Sequence, residues 1–278
     1  MKAQEIGNSG ASGARVTALV LAASRQGVRD SVAQLQDKSH KCLVEIDGVV
    51  MLERVIEALI KAGGIDRVYV SIESDDLLHQ VPRVGAWMDQ GRVRGLRNKA
   101  TLADSVLAAA ADIPDPYPLL ITTGDNVLHT PELIRDFLDQ CAGRDGDVAV
   151  AFTTADLVRR DYPEVKLAYH MLKDGGFSAC NLYLLRRARA LNAVRVFESG
   201  GQFGKRHFRI LKSCGLMPFI LYKLKWATLD GLMDRIARNL GVTTDTIMLP
   251  YSFGPIDVDN PQFFAIAEEA LRRRRLSA

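Results

Sequence analysis

Leu119-Leu-Ile-Thr-Thr-Gly-Asp-Asn126 is an apolar run that gives way abruptly to Gly and polar residues, and Thr130-Pro-Glu132 follows it closely. A short, nearly continuous apolar run of this kind is expected of a strand buried on both faces. Thr130 is a good N-cap and Pro131 suits the first helical position, so a helix is expected from Pro131 to Cys141. The unit therefore reads strand, loop, helix. Asp125 is left in the loop, and it is not needed to start the helix.

The same alternation extends in both directions. Upstream, Val16-Thr-Ala-Leu-Val-Leu-Ala-Ala23 is another buried-strand run, and Leu43-Val-Glu-Ile-Asp-Gly48 a short strand and turn. Met51, Val55, Ile56, Leu59 and Ile60 recur at helical spacing between Val50 and Ala62, and Gly63-Gly64 ends that helix. Arg67 to Ile72 reads as a strand. Leu102 to Ala111 reads as an Ala-rich helix stopped by Pro114, Pro116 and Pro118. Downstream, Asp147-Val-Ala-Val-Ala-Phe152 repeats the strand pattern. Such alternation implies right-handed βαβ units: an α/β, Rossmann-like three-layer α/β/α fold on a mostly parallel sheet. Ligands of such sheets bind beyond the carboxyl ends of the strands, which singles out loops 24–41, 97–105 and 124–130.

The last third has a different pattern. Val165 to Met171 and Gly176 to Leu185 read as two strands joined by a Lys173-Asp-Gly-Gly176 turn. A basic and apolar stretch follows, from Gly204 through Lys212 to Trp226. A helix from Leu229 to Leu240, a strand from Thr246 to Leu249, the turn Ile256-Asp-Val-Asp259 and a final helix complete the chain. Arg272 to Arg275 is expected to be a solvated tail. No repeat or low-complexity linker appears, so 16–278 is read as one domain, with 204–241 as a helical insertion or lid and 1–15 as a flexible polar leader.

Composition narrows the function classes. The 278 residues carry a net charge of +3, with 47% hydrophobic and 25% charged residues, which is ordinary for a globular protein and too weakly basic to suggest a nucleic-acid binder. Four cysteines, Cys42, Cys141, Cys180 and Cys214, form no CxxC pair. That argues against structural zinc or a disulfide framework and fits a reducing cytoplasm. No apolar run reaches the roughly 18–20 residues needed to span a bilayer.

Three separated features resemble the nucleotidyltransferases related to the molybdenum-cofactor guanylyltransferase and to the sugar-phosphate nucleotidyltransferases, whose sheet is GT-A-like. The first is Ala18-Leu-Val-Leu-Ala-Ala-Ser-Arg25 with a later Lys41. The family has Leu-Ala-Ala-Gly-x-Gly-x-Arg here; Ser24 replaces a glycine, and Gly27 and Arg29 fall one place late. Backbone N–H groups of such a loop can cradle phosphate oxygens while arginine and lysine neutralise charge. The resemblance thus implies nucleotide binding by Leu21, Ala22, Ala23, Ser24, Arg25 and Lys41. The second feature is the loop after 119–123, where Asp125 occupies the family's Mg²⁺-binding position. The third is Ile256-Asp-Val-Asp-Asn-Pro261, where Asp257 matches a second metal ligand and Asp259 is the next choice, with a competing role in the turn and cap around Asn260-Pro261. Thr101 and Ser105 lie where the family reads base or ribose, although Thr101 as N-cap with Asp104 at the third helical position accounts for that stretch equally well. Lys166 and Asn181 are implied as acceptor contacts.

What the resemblance implies is Mg²⁺-dependent transfer of a nucleoside monophosphate from an NTP, CTP or GTP being favoured, to a phosphorylated small molecule. Arg25, Lys41 and Asp125 would carry the chemistry. No Ser-His-Asp or Cys-His set is legible among five scattered histidines, although His40 adjoins Lys41. The rivals are a GT-A-type glycosyltransferase, which lacks its expected Asp-x-Asp after 119–123, and a degenerate non-catalytic nucleotide-binding protein, suggested by the altered loop at Ser24. For 204–226, a lid packed on the core with snorkelling Lys and Arg stems is favoured over contact with a membrane surface.

Overall fold

The structure is a computed structural model that describes residues 15–24, 29–194 and 216–277. In chain order its strands are β1 (Val16–Leu21), β2 (Glu45–Ile46), β3 (Val49–Val50), β4 (Ile65–Ile72), β5 (Val93–Arg97), β6 (Leu119–Thr123), β7 (Val148–Thr154), β8 (His170–Leu172), β9 (Gly175–Leu185) and β10 (Thr244–Met248). The helices are α1 (Met51–Ala62), α2 (Asp75–His79), α3 (Pro82–Asp89), α4 (Leu102–Asp112), α5 (Pro131–Ala142), α6 (Ala155–Asp161), α7 (Leu191–Val194), α8 (Leu216–Lys223), α9 (Leu229–Asn239) and α10 (Pro261–Ser277).

Eight strands form one sheet in the order β10-β7-β9-β6-β1-β4-β5, with β8 paired to β9. β1 pairs in parallel with β4 and β6, β4 with β5, and β7 with β10. β9 runs against the others, antiparallel to β6, β7 and β8. The mostly parallel sheet is as the sequence predicts, and it puts the loops after β1, β4, β5 and β6 on one edge.

Side chains alternate across the sheet, as strand geometry requires. Ala18, Val20 and Leu120 face a core with Leu52, Val55, Ile56 and Leu59 of α1 and Leu133 and Phe137 of α5. Leu19, Leu119 and Ile121 face a second core with Ala103 and Val106 of α4 and Leu229 and Leu232 of α9. Two-sided burial is what makes these strands read as unbroken apolar runs. Truncating one such side chain, Leu59→Ala for example, is expected to cost about 2–5 kcal/mol. A third cluster lies beyond the strand ends, where Ala267, Ala270 and Leu271 of α10 cover Val44, Ile46, Met51, Val127, Leu128, Ile256 and Val258.

The structure corrects several sequence expectations. Residues 165–169 are not in a strand: β8 begins at His170 and turns through Lys173-Asp174 directly into β9. β10 begins two residues before the expected Thr246. Arg272, Arg273 and Arg275 are solvent-exposed as expected, but they are not a tail and Arg274 is packed inward. α10 continues through them, Arg274 donates to the Leu128 carbonyl at 2.8 Å and its guanidinium lies 4.0 Å over the Phe253 ring. Of 204–241, residues 204–215 lie outside the described residues, as does most of the proposed leader; α9 packs against the second core.

Candidate active site at the carboxyl edge of the sheet

Leu119 to Thr123 run deep in the sheet, and the chain must leave it beside β1. Gly124 allows the close passage: a Cβ there would lie 3.2 Å from Ala22 Cβ, and its N–H donates to the Leu21 carbonyl at 3.0 Å. Asp125 follows. Thr130 caps α5 by accepting from Leu133 N at 3.2 Å, so Asp125 is free of any capping role, as the sequence suggests. Its Oδ1 accepts from Thr123 Oγ1, and Asn126 Nδ2 donates to the same hydroxyl.

Two further carboxylates meet it. The Asp125 carbonyl accepts from Val258 N at 3.1 Å, which locks the loop after β6 to the Ile256–Asp259 turn. Ligand oxygens of Asp125, Asp257 and Asp259 then lie within 4.8 Å of one another. The cap of α10 is Asn260, whose Oδ1 accepts from Gln262 N and Phe263 N at 3.0 and 3.1 Å. Asp259 is thereby released from the competing role that its sequence position offered.

Lys41 brings a cation to this cluster. It opens a short 3₁₀ turn, Lys41–Leu43, held in place by the buried Cys42 and Leu43. Its Nζ lies 2.6 Å from Asp125 Oδ2 and 3.1 Å from Asp259 Oδ1, with Lys41 and Asp125 side chains only 20% and 14% exposed. Burial disfavours the ammonium, but the two carboxylates outweigh it and hold the lysine well above its ordinary range. Asp125 shows the converse: burial pushes its carboxyl up, and Lys41 and Thr123 more than reverse this. Among the described residues Asp257 has no such cation in direct contact. Burial and the neighbouring Asp125 and Asp259 charges push it up to about 7.

Asn181 completes the inner face. The register of β9 against β7 shifts between Val150 and Phe152, and at this bulge Asn181 adopts φ +49°. Asn tolerates that left-handed conformation better than most residues, and bulges re-aim side chains. Here the amide donates to Asp257 Oδ2 at 3.2 Å and to Asn126 Oδ1 at 3.4 Å.

The other sequence candidates are placed as follows. The β1 end brings Leu21, Ala22, Ala23 and Ser24 to the same edge, and Ser24 N donates to Glu73 Oε1 at 2.8 Å. Arg25 lies outside the described residues. Thr101 caps α4, accepting from Asp104 N at 3.0 Å, and Ser105 Oγ bonds the Thr101 carbonyl and Lys99 N. Both hydroxyls are engaged locally rather than joined to the carboxylate cluster. Lys166 is exposed just past the buried Val165 and is not joined to it either. His40 faces Glu73 at 3.4 Å. His129 is buried and bonded to the Gly254 carbonyl at 2.9 Å; burial lowers it to about 4, so it is a neutral structural residue. Sequence reasoning missed Glu73, whose only signal was a carboxylate just past a strand end on the ligand edge.

Three convergent carboxylates carry more negative charge than one lysine neutralises, and hard oxygen donors suit Mg²⁺. The donor set therefore fits a divalent cation held by Asp125 and Asp257, with Asp259 within reach. Residues 18–211 match the MobA-like NTP transferase domain model. The chain belongs to this family. It is a nucleotidyltransferase, and the glycosyltransferase reading is set aside. Its fold is similar to a hypothetical transferase from Thermus thermophilus (24% identity, TM-score 0.71, covering 90% of this chain and 99% of that one). It is also similar to 4-diphosphocytidyl-2C-methyl-D-erythritol synthase from Anaerococcus prevotii (13%, 0.56, 94% and 99%). A third similar fold is a CMP:2-keto-3-deoxy-manno-octonic acid synthetase complexed with CTP (13%, 0.56, 93% and 99%). Among the described residues no helix is long and apolar enough to cross a membrane.

Proposed function

We propose that this nucleotidyltransferase moves a nucleoside monophosphate from an NTP, CTP being the favoured donor and GTP the next, to a phosphorylated small-molecule acceptor. The observation that carries the reading is the convergence of Lys41, Asp125, Asp257 and Asp259 at the ligand edge of the sheet. The preference for CTP draws on the cytidine chemistry named for two of the similar structures.

In this reading an acceptor phosphate oxygen attacks the α-phosphorus in line. The bond from that phosphorus to the β-phosphate bridging oxygen breaks, and pyrophosphate leaves with the electron pair. A phosphate monoester is already an anionic nucleophile, so no proton-transfer residue is required, and none is offered by the neutral His129. The work of the protein is positioning and charge neutralisation. Lys41, held charged, meets the triphosphate or the leaving pyrophosphate. Asn181 fixes the rotamer of Asp257, and Thr123 that of Asp125. Mg²⁺ bound by Asp125 and Asp257 would supply further neutralisation of the triphosphate. In this reading the loop from Leu21 to Ser24 meets the phosphates, with Arg25 as a further contact, once the nucleotide displaces Glu73 from the Ser24 N–H.

The test is pyrophosphate release from each of the four NTPs against a panel of sugar and polyol phosphates. Release with one NTP, dependent on acceptor and Mg²⁺, supports the reading. No release with any pair, in protein that binds NTP, would sink it in favour of a non-catalytic nucleotide binder.

A further inference from the structure

Among the described residues, α8 packs against the molecule by one side. Leu221 and Tyr222 pack against the second core, Tyr222 meeting His170 edge-on with ring centroids 5.9 Å apart, and Pro218 is buried. The other side carries Met217 and Ile220, and Leu224 follows in the turn that ends the helix. These are spaced by three and four residues and so form a single stripe. They are 56%, 38% and 48% exposed, and Trp226, just past the helix, is 68% exposed. Half of the large hydrophobic side chains exposed among the described residues fall in this one short span. Scattered exposed apolar residues need no explanation, whereas a stripe of them does.

The charges around the stripe indicate what covers it. Lys223 and Lys225 are exposed on either side of Leu224. From Ser199 to Leu229 the sequence has six Lys or Arg and no Asp or Glu, although the whole chain is only +3. The basic excess thus precedes and includes the stripe in the sequence, the rest of the chain is net acidic, and Lys223 and Lys225 are the described lysines that flank the stripe. An apolar helix face with an indole at its end and lysines around it matches an anionic bilayer surface, where rings and aliphatic side chains enter the headgroup layer and lysines meet lipid phosphates. We propose that this face docks the protein peripherally on an anionic lipid surface, through Met217, Ile220, Leu224 and Trp226 with Lys223 and Lys225. The proposal is independent of the reaction read for the active site.

The test uses the full chain with phosphatidylcholine vesicles, with and without phosphatidylglycerol, followed by sedimentation and tryptophan emission. Trp87 is only 9% exposed, so a blue shift on adding vesicles reports Trp226. The expected result is binding to anionic but not neutral vesicles, a blue shift, and weakening by salt. The double variant Ile220→Ser/Leu224→Ser changes only outward positions and should keep the wild-type circular dichroism and NTP binding. Its partitioning should fall by about tenfold or more, since two aliphatic side chains no longer leave water. Wild type that stays in solution, a variant that binds as well as wild type, or binding without a blue shift would each overturn the proposal. Concentration-dependent self-association of wild type that the variant loses would assign the stripe to a second copy and overturn it as well.

Discussion

Lys41 Nζ and Asp125 Oδ2 lie 2.6 Å apart, although 84 residues separate them in the chain. The contact links the turn ahead of α1 to the loop after β6, and Asp259 extends it to the turn ahead of α10 at 3.1 Å. Three distant segments are thus held by one ammonium. Lys41→Met should therefore weaken NTP binding by about tenfold or more, and leave three carboxylates without a cation. Removing one partner of a buried pair costs up to about 3–5 kcal/mol; partial exposure here brings the expected loss to about 2 kcal/mol. Urea unfolding without metal measures it, and Mg²⁺ should restore part of the loss. Unchanged stability and binding would contradict this role.

Asp257 supplies a pH dependence. Its folded-state value of about 7 is above its ordinary value of 3.8, so between those values the folded protein holds more protons than the unfolded chain. The metal-free protein should lose stability as pH rises from about 4 to about 7, and change little from this source above that. Mg²⁺ must displace the proton, so apparent affinity should rise up to about pH 7 and then level. Asp257→Asn should remove the dependence. Calorimetry in buffers of different ionisation enthalpy counts the released proton, and flat affinity from pH 6 to 8 would refute the assignment.

Asn181 couples a strained backbone to the site, and the two can be separated. Gly tolerates φ +49° and lacks the amide, so Asn181→Gly should stay within about 1 kcal/mol of wild type while Mg²⁺ affinity drops severalfold. Asn181→Ala should lose both stability and affinity. Equal Mg²⁺ affinity in wild type and the glycine variant would show that the amide does not position Asp257.

Glu73 accepts the Ser24 N–H at 2.8 Å, at the start of the loop expected to meet phosphate. A carboxylate there opposes an incoming triphosphate. Glu73→Gln keeps an acceptor for Ser24 and removes the charge, so NTP binding should tighten about threefold to tenfold. Weaker binding in a folded variant would show instead that the carboxylate supports the loop.

Much of the fold is legible because β1, β4, β6 and β7 are buried on both faces and α4 and α5 begin with hydroxyl caps that act locally. Strand direction is not encoded in an apolar run, so the reversal of β9 and its bulge at Asn181 emerge only from tertiary pairing. The site shows the same division. Asp125, Asp257 and Lys41 could be singled out from their places in a familiar pattern. That Asn260 rather than Asp259 takes the cap, and that Arg274 reaches the Leu128 carbonyl, are visible only in the folded chain. Glu73 was silent because a single carboxylate after a strand is common. For Thr101 and Ser105 the structure shows the local capping that the sequence also offered, with both hydroxyls bonded within their own loop.

The measurement that bears most directly on the central claim is calorimetric titration of the four NTPs, with and without Mg²⁺, into wild type and Asp125→Asn. The variant keeps the shape of the side chain and removes its charge. Wild type should bind one NTP tightly only with Mg²⁺, and the variant should lose about tenfold or more of that affinity while its Mg²⁺-free titration changes little. Metal-independent binding, or binding unchanged in the variant, would contradict a metal-assisted nucleotidyltransferase site built on Asp125.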